Sequence, residues 1–118
     1  MEIIEERRRS REKIIGRVSS WVRELPFKVT AIVVGSYARG DFNLWSDVDV
    51  LLISRDFKGS PLDRLMEIDV PPGFQVIPLT PEEYRRQAER GNPLVLEAEE
   101  KGVVVKHDED IFSAEQGE

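Results

Sequence analysis

Cysteine is missing from all 118 residues. Its absence excludes disulfides and thiolate metal sites, and makes a reducing cytoplasm the expected location. Histidine occurs once, as His107 near the C-terminus. It has no companion there, so a metal role for it is not expected. Positive charge is also in deficit: 17 Lys and Arg stand against 23 Asp and Glu, a net charge of −6. A chain built to coat DNA or RNA nonspecifically would carry a basic excess. A nucleotide ligand stays open, because a metal ion can supply positive charge locally. Long apolar runs are absent; stretches such as Val48 to Ile53 are far too short to span a membrane. The heavily charged first fifteen residues do not resemble a secretory signal. No Gly-Lys-Ser/Thr occurs, which excludes a P-loop, and no internal repeat is evident.

What is there reads as one globular domain. Hydrophobic residues make up 40% and charged residues 34%, and the length suits a single core. The domain is expected over residues 1–106, followed by an acidic, fraying tail over 107–118. Residues 2–25 read as a helix, because Ile4, Ile15, Val18, Val22 and Leu25 recur at helical spacing and Ile14 and Trp21 widen the stripe. Pro26 ends it. Glu5 to Lys13, including Arg7-Arg8-Arg9, is expected to be a solvated face rather than an RNA contact.

Phe27 to Val34 reads as a central strand, and Gly35 breaks it. Residues 36–46 form a turn with room for one helical turn. Val48 to Ser54 reads as a second strand. Ser60 caps a helix that starts with Pro61 and runs to about Asp69. Phe74 to Leu79 is a third strand. Thr80-Pro81-Glu82-Glu83 is a capping box whose helix stops near Gly91. Asn92-Pro93 opens another helix ending near Gly102, and Val103 to Val105 is a short last strand. This order predicts an α/β or α+β fold, a small mixed sheet flanked by helices.

The chemistry lies in Gly35-Ser36-Tyr37-Ala38-Arg39-Gly40 and the later Ser46-Asp47-Val48-Asp49. A glycine directly after a buried strand lets the backbone turn sharply and lets a ligand come close. Ser36 and the following N–H groups can gather around a phosphate, and Arg39 can neutralise its charge. Arg39 can equally pair with Asp41 or another surface acid. Asp47 and Asp49 are two apart on a strand, so both face one side, with α-carbons about 6.5–7 Å apart. Two carboxylates so close repel by about 2–3 kcal/mol at an effective dielectric near 20. They call for protonation or a cation, and Mg²⁺ or Mn²⁺ suits oxygen ligands. An EF-hand is excluded because apolar residues follow where ligands and glycine are needed. Trp45 is expected to cover the core edge or meet a partner rather than stack on a base. Tyr37 is undecided between the same uses. Tyr84 and Ala88 share a helix face and are expected to pack.

Gly35-Ser36, ten residues (37–46), then Asp47-Val48-Asp49 resembles the signature of the polymerase-β-like nucleotidyltransferase superfamily. The fuller pattern is similar to its minimal members, the small partners of HEPN-domain proteins in toxin–antitoxin pairs. The motif covers about twenty residues, and the element order extends the likeness over roughly 14–105. The resemblance implies a nucleotidyltransferase fold and transfer of a nucleoside monophosphate from an NTP, ATP above all, to a protein or RNA acceptor. Asp47 and Asp49 would hold Mg²⁺ and serve catalysis. Gly35 and Ser36 would contact the triphosphate. Arg39 and Ser46 would support the turn or the phosphates. A helical HEPN-type protein would be the partner, and a homo-oligomer is compatible.

Active members carry a third carboxylate on a later strand, and here that slot falls on Gln75. Glutamine cannot accept a proton as a base. Glu67 or Asp69 could stand in if the intervening loop folds back. A weakened nucleotide-binding or regulatory module acting through protein contact is therefore the alternative. A composite site, with its carboxylate supplied by another chain through faces near Tyr84 and Trp45, is a third reading.

Overall fold

The computed structural model describes residues 2–108. Its elements follow in the order α1 (Glu2–Arg23), β1 (Thr30–Val34), α2 (Ser36–Arg39), β2 (Val48–Ile53), α3 (Pro61–Met66), β3 (Phe74–Leu79), α4 (Pro81–Glu89), α5 (Pro93–Lys101) and β4 (Val103–His107). The fold is mixed α+β, as its sequence pattern predicts. Among the described residues no helix is long and apolar enough to cross a membrane.

The four strands lie in the order β3-β2-β1-β4. Strand β1 pairs antiparallel with both β2 and β4, while β2 and β3 are parallel. The run Thr30-Ala31-Ile32-Val33-Val34 is buried throughout. It has neighbours on both edges and helices on both faces, which is why alternation is missing from its sequence. On one face Val29, Ala31, Val33, Val48, Val50 and Leu52 form a core with Val18 and Val22 of α1. On the other, Ile32, Val34, Leu51 and Ile53 pack with Tyr84 of α4 and with Val95 and Ala98 of α5.

Local chemistry fixes the helix starts. Ser60 and Asp63 bond reciprocally as a capping box at α3, and Thr80 and Glu83 do the same at α4, each with proline in the first turn. Asn92 accepts from the amides of Leu94 and Val95 at α5.

Several boundaries differ from expectation. Helix α1 ends at Arg23, because Pro26 disfavours helix in the residue before it and the chain leaves through a turn with Leu25 N bonded to Val22 O at 3.1 Å. Strand β1 begins only at Thr30: the Val29 amide donates to the Asp108 carboxylate at 3.1 Å rather than to a ladder. Helix α3 stops at Met66 rather than near Asp69. His107, expected to start the tail, closes β4 opposite Thr30, and Asp108 is tied to both Val29 and Lys106. The rest of the expected tail, 109–118, lies outside the described residues. Ile4 is 65% exposed and takes no part in the core.

Candidate functional site

Val34, Asp49 and Gln75 stand opposite one another across three strands: Val34 pairs with Asp49, and Asp49 with Gln75. Paired residues project to the same face. Val34 belongs to the core under α4 and α5, so Asp49 and Gln75 face that side too. Val48 and Val50, on either side of Asp49, fill the opposite core. The strand's period thus secures the carboxylate's direction.

Gly35 follows Val34 directly. Its backbone has φ 76° and ψ −153°, a region essentially confined to glycine. A Cβ built there would overlap the Asp49 Oδ2 atom and stand 3.1 Å from its Cγ. The Asp49 carboxylate therefore lies directly against the Gly35 backbone. From Gly35 the chain enters the short helix α2, with Arg39 N bonded to Gly35 O at 3.0 Å. The opening amides of α2 have no partner inside the helix, and they start where the carboxylate sits. Gly40 ends the helix with φ 92°.

Helix α1 braces this turn from below. Arg11 donates through Nε to the Tyr37 carbonyl at 2.7 Å and through Nη2 to that of Ala38 at 3.1 Å. Arg7 donates to the Phe42 carbonyl at 2.8 Å and lies over the Phe42 ring. Tyr37 stacks on Phe42 with centroids 4.3 Å apart, so its ring serves the turn. The expected solvated face is thus corrected at Arg7 and Arg11. Arg8 and Arg9 are exposed, and Arg9 pairs with Glu5, one turn away.

The loop from Asn43 to Ser46 is also pinned. The Asn43 amide donates to Ser46 Oγ at 2.8 Å, and the Trp45 amide to Asn43 Oδ1 at 2.8 Å. Ser46 thereby supports the turn. Its closure turns Leu44 and Trp45 outward, 93% and 89% exposed, so of the two uses expected for Trp45, covering the core edge or meeting a partner, the first is excluded. Tyr84, by contrast, is fully buried and offers no contact face to another chain.

Charge is concentrated here. Burial raises the Asp49 pKa above the ordinary carboxylate value, and neighbouring Asp47 raises it further; Arg39 works the other way, and Glu97 adds a smaller push upward. Asp47 itself is exposed. A partly buried carboxylate beside another acid favours a proton or a cation. Arg39 bonds Asp41 through Nε at 3.1 Å and Glu97 of α5 through Nη1 at 2.7 Å. Of its two expected uses, pairing is therefore present. Glu97 was not anticipated: it lies on a helix distant in sequence, and no motif marks it. Arg7 and Arg11 left a signal, because they continue the α1 stripe of Ile14, Val18 and Trp21 toward the N-terminus at helical spacing.

A family model described as "Nucleotidyltransferase domain" matches residues 11–108. The chain belongs to the nucleotidyltransferase domain family. A crystal structure described as "a putative nucleotidyltransferase from Sulfolobus solfataricus" shares the fold, with a TM-score of 0.53 and 20% identity over 88% of this chain and 86% of that one. No curated protein matches the chain.

Within this nucleotidyltransferase domain, Gln75 stands beside Asp49 on the adjacent parallel strand and is exposed. The two acids considered as stand-ins are elsewhere. Glu67 lines a cavity of about 390 Å³ with Phe27, Phe57 and Arg64. The Asp69 carbonyl accepts from Trp21 Nε1 of α1 at 3.0 Å. Both belong to the layer on the other side of the sheet. Among the described residues no three His, Cys, Asp or Glu side chains gather into a metal-binding group. Asp47 and Asp49, with Gln75 in register with Asp49 on β3, still supply the kind of oxygen donors a hard divalent ion takes, since it is commonly held by one or two carboxylates plus substrate phosphates.

Proposed function

We propose that this domain binds a nucleoside triphosphate, ATP in the first instance, with Mg²⁺ or Mn²⁺, and transfers its nucleoside monophosphate slowly to a hydroxyl of a protein or RNA acceptor. The observation that carries this reading is the Asp49 carboxylate seated against the Gly35 turn, with Asp47 close enough to raise its pKa. Asp47 and Asp49 would hold the metal, and the backbone at Gly35 and Ser36 would receive the phosphates. The ion would neutralise phosphate charge and polarise the α-phosphorus. In the transfer, the acceptor oxygen bonds to the α-phosphorus, the bond to pyrophosphate breaks, and the acceptor proton must leave. This chain's contribution is positioning.

Gln75 supports the slow rate, since its amide cannot take that proton. ATP labelled at the α-phosphate should pass its label to an acceptor with release of pyrophosphate; label moving only from the γ-phosphate would contradict transferase chemistry. Gln75→Asp is expected to raise the transfer rate by about 10²–10⁴-fold, the span of general-base catalysis. No increase would mean that the proton leaves by another route.

Asp47→Asn and Asp49→Asn are each expected to abolish metal-dependent ATP binding in calorimetry. Unchanged affinity in both would rule the site out.

A second reading, a regulatory module acting through protein contact, is favoured by Gln75 together with exposed Leu44 and Trp45 beside the site. A helical HEPN-type protein is the partner class implied by the motif. Its copurification without label transfer, even in the complex, would select this reading. The lack of cysteine fits a cytoplasmic setting for either.

A further inference from the structure

We infer that Glu97 is a positioning residue that holds Arg39 ready for the phosphates, so that α5 completes the nucleotide site. The inference rests on the nucleotide reading above and extends it to a helix outside the Gly35–Asp49 motif. It also reconciles the two uses of Arg39, since the observed pairing leaves part of the guanidinium available.

A guanidinium carries five N–H donors in a planar fork. In Arg39 the Nε edge is taken by Asp41 and one Nη1 hydrogen by Glu97. Nη2 has no hydrogen-bond acceptor among the described residues. The two acids grip the fork from different elements and leave its outer edge presented. The grips are unequal. Asp41 is 63% exposed, and its pair with Arg39 is a surface contact of small worth. Glu97 is only 16% exposed and bonds at 2.7 Å, and it exerts the largest upward influence on the Arg39 pKa. Glu97 is itself anchored, because the next residue of α5, Ala98, is buried against Ile32 and Val34 of β1.

The position suits a phosphate. Arg39 is the last residue of the one-turn helix α2, which starts from the Gly35 backbone that the Asp49 carboxylate meets, so the guanidinium is carried by the same turn. A free arginine side chain would lose rotamer entropy each time it reached for a ligand; a braced one has already lost it. Glu97 therefore lowers the cost of a contact that Arg39 makes.

The test is a double-mutant cycle read by calorimetry with Mg-ATP and, separately, Mg-tripolyphosphate. Glu97→Met keeps a helix-favouring stem and removes the charged acceptor. It is expected to weaken both ligands by about tenfold, equally, because the contact is to phosphate, the scale of one charge-assisted hydrogen bond. Arg39→Ala should weaken them at least as much, and adding Glu97→Met to Arg39→Ala should change nothing further. Thermal midpoints of the variants check that the fold survives. If the variant with only Glu97→Met unfolds, Glu97→Gln at the same position carries the cycle.

Additive losses would overturn the inference, as would a Glu97 variant that binds like wild type while Arg39→Ala does not. If neither single change matters but Asp49→Asn abolishes binding, the inference falls and the nucleotide site stands. If wild type binds neither ligand, both fall.

Discussion

Replacing Gly35 with alanine is expected to destabilise the domain by about 2–4 kcal/mol and to abolish nucleotide binding. Two costs combine. An L-residue held at φ 76° and ψ −153° pays about 1–3 kcal/mol in backbone strain. The new methyl group would also occupy the place of the Asp49 carboxylate. That side chain can swing aside, so the steric part is relieved cheaply, but the relief removes Asp49 from the turn. Gly40→Ala is the control. Gly40 also has positive φ, at 92°, yet a Cβ there meets nothing within 4 Å. It should lose about 1 kcal/mol, as expected for alanine at positive φ, while retaining most of its affinity. Urea denaturation gives the stability and calorimetry with Mg-ATP gives the binding. If Gly35→Ala binds as well as Gly40→Ala, the close approach of carboxylate and turn has no functional meaning.

Arg64→Met should cost about 2–3 kcal/mol of stability without touching the site. Arg64 is 7% exposed. It grips Glu83 with two bonds, at 2.7 and 3.1 Å, and the Pro78 carbonyl at 3.0 Å. It thereby ties α3 to the junction of β3 and α4, where Glu83 also closes the capping box on the Thr80 amide. Removing one partner of a buried ion pair costs about 3–5 kcal/mol. Glu83 is 33% exposed and can rehydrate, which places the value lower. The same pair predicts acid sensitivity. The hydrogen bond from Arg64 pulls the Glu83 pKa from 4.5 down to about 2, against the opposing effect of burial. A depressed carboxylate contributes fully above its unfolded value, and its contribution is lost as pH falls from 4.5 toward 2. After allowance for solvent screening that contribution is about 1–2 kcal/mol. Urea midpoints at pH 7, 4 and 3 should therefore fall more steeply in wild type than in Arg64→Met. Parallel curves would show that Glu83 owes its acidity to something else.

The parts of the fold that depend on neighbours in sequence are legible there. Ser60-Pro61 and Thr80-Pro81-Glu82-Glu83 announce their helices because a cap is satisfied within one turn. Strand β3 has its expected limits, set by the Pro71-Pro72-Gly73 turn before it and the Thr80 cap after it. The pairing of Asp49 with Gln75 follows once β2 and β3 are parallel and in register, and the strand period alone places Asp49 opposite Val48 and Val50. Less legible were the features made by distant partners. Arg7 and Arg11 carry only the mark of helical spacing, and their charge suggests solvent until the carbonyls of Tyr37, Ala38 and Phe42 meet them. Glu97 has no local mark at all. Trp45 is large and apolar, which suggests burial, yet the Asn43–Ser46 hydrogen bonds shape a loop that turns it outward. The extension of β4 to His107 is equally hidden, because Asp108 beside it acts through a contact with Val29, 79 residues away.

On the proposed reading, Asp47, Asp49 and the Gly35-Ser36 bend act on one ligand. Crystals soaked with Mn²⁺ and a nonhydrolysable ATP analogue, with the manganese located by anomalous scattering, test this directly. The expected result is a metal bound by Asp47 and Asp49, with the triphosphate reaching from it to the backbone of Gly35 and Ser36. A fully occupied metal and nucleotide elsewhere on the surface, with these two aspartates untouched, would contradict it.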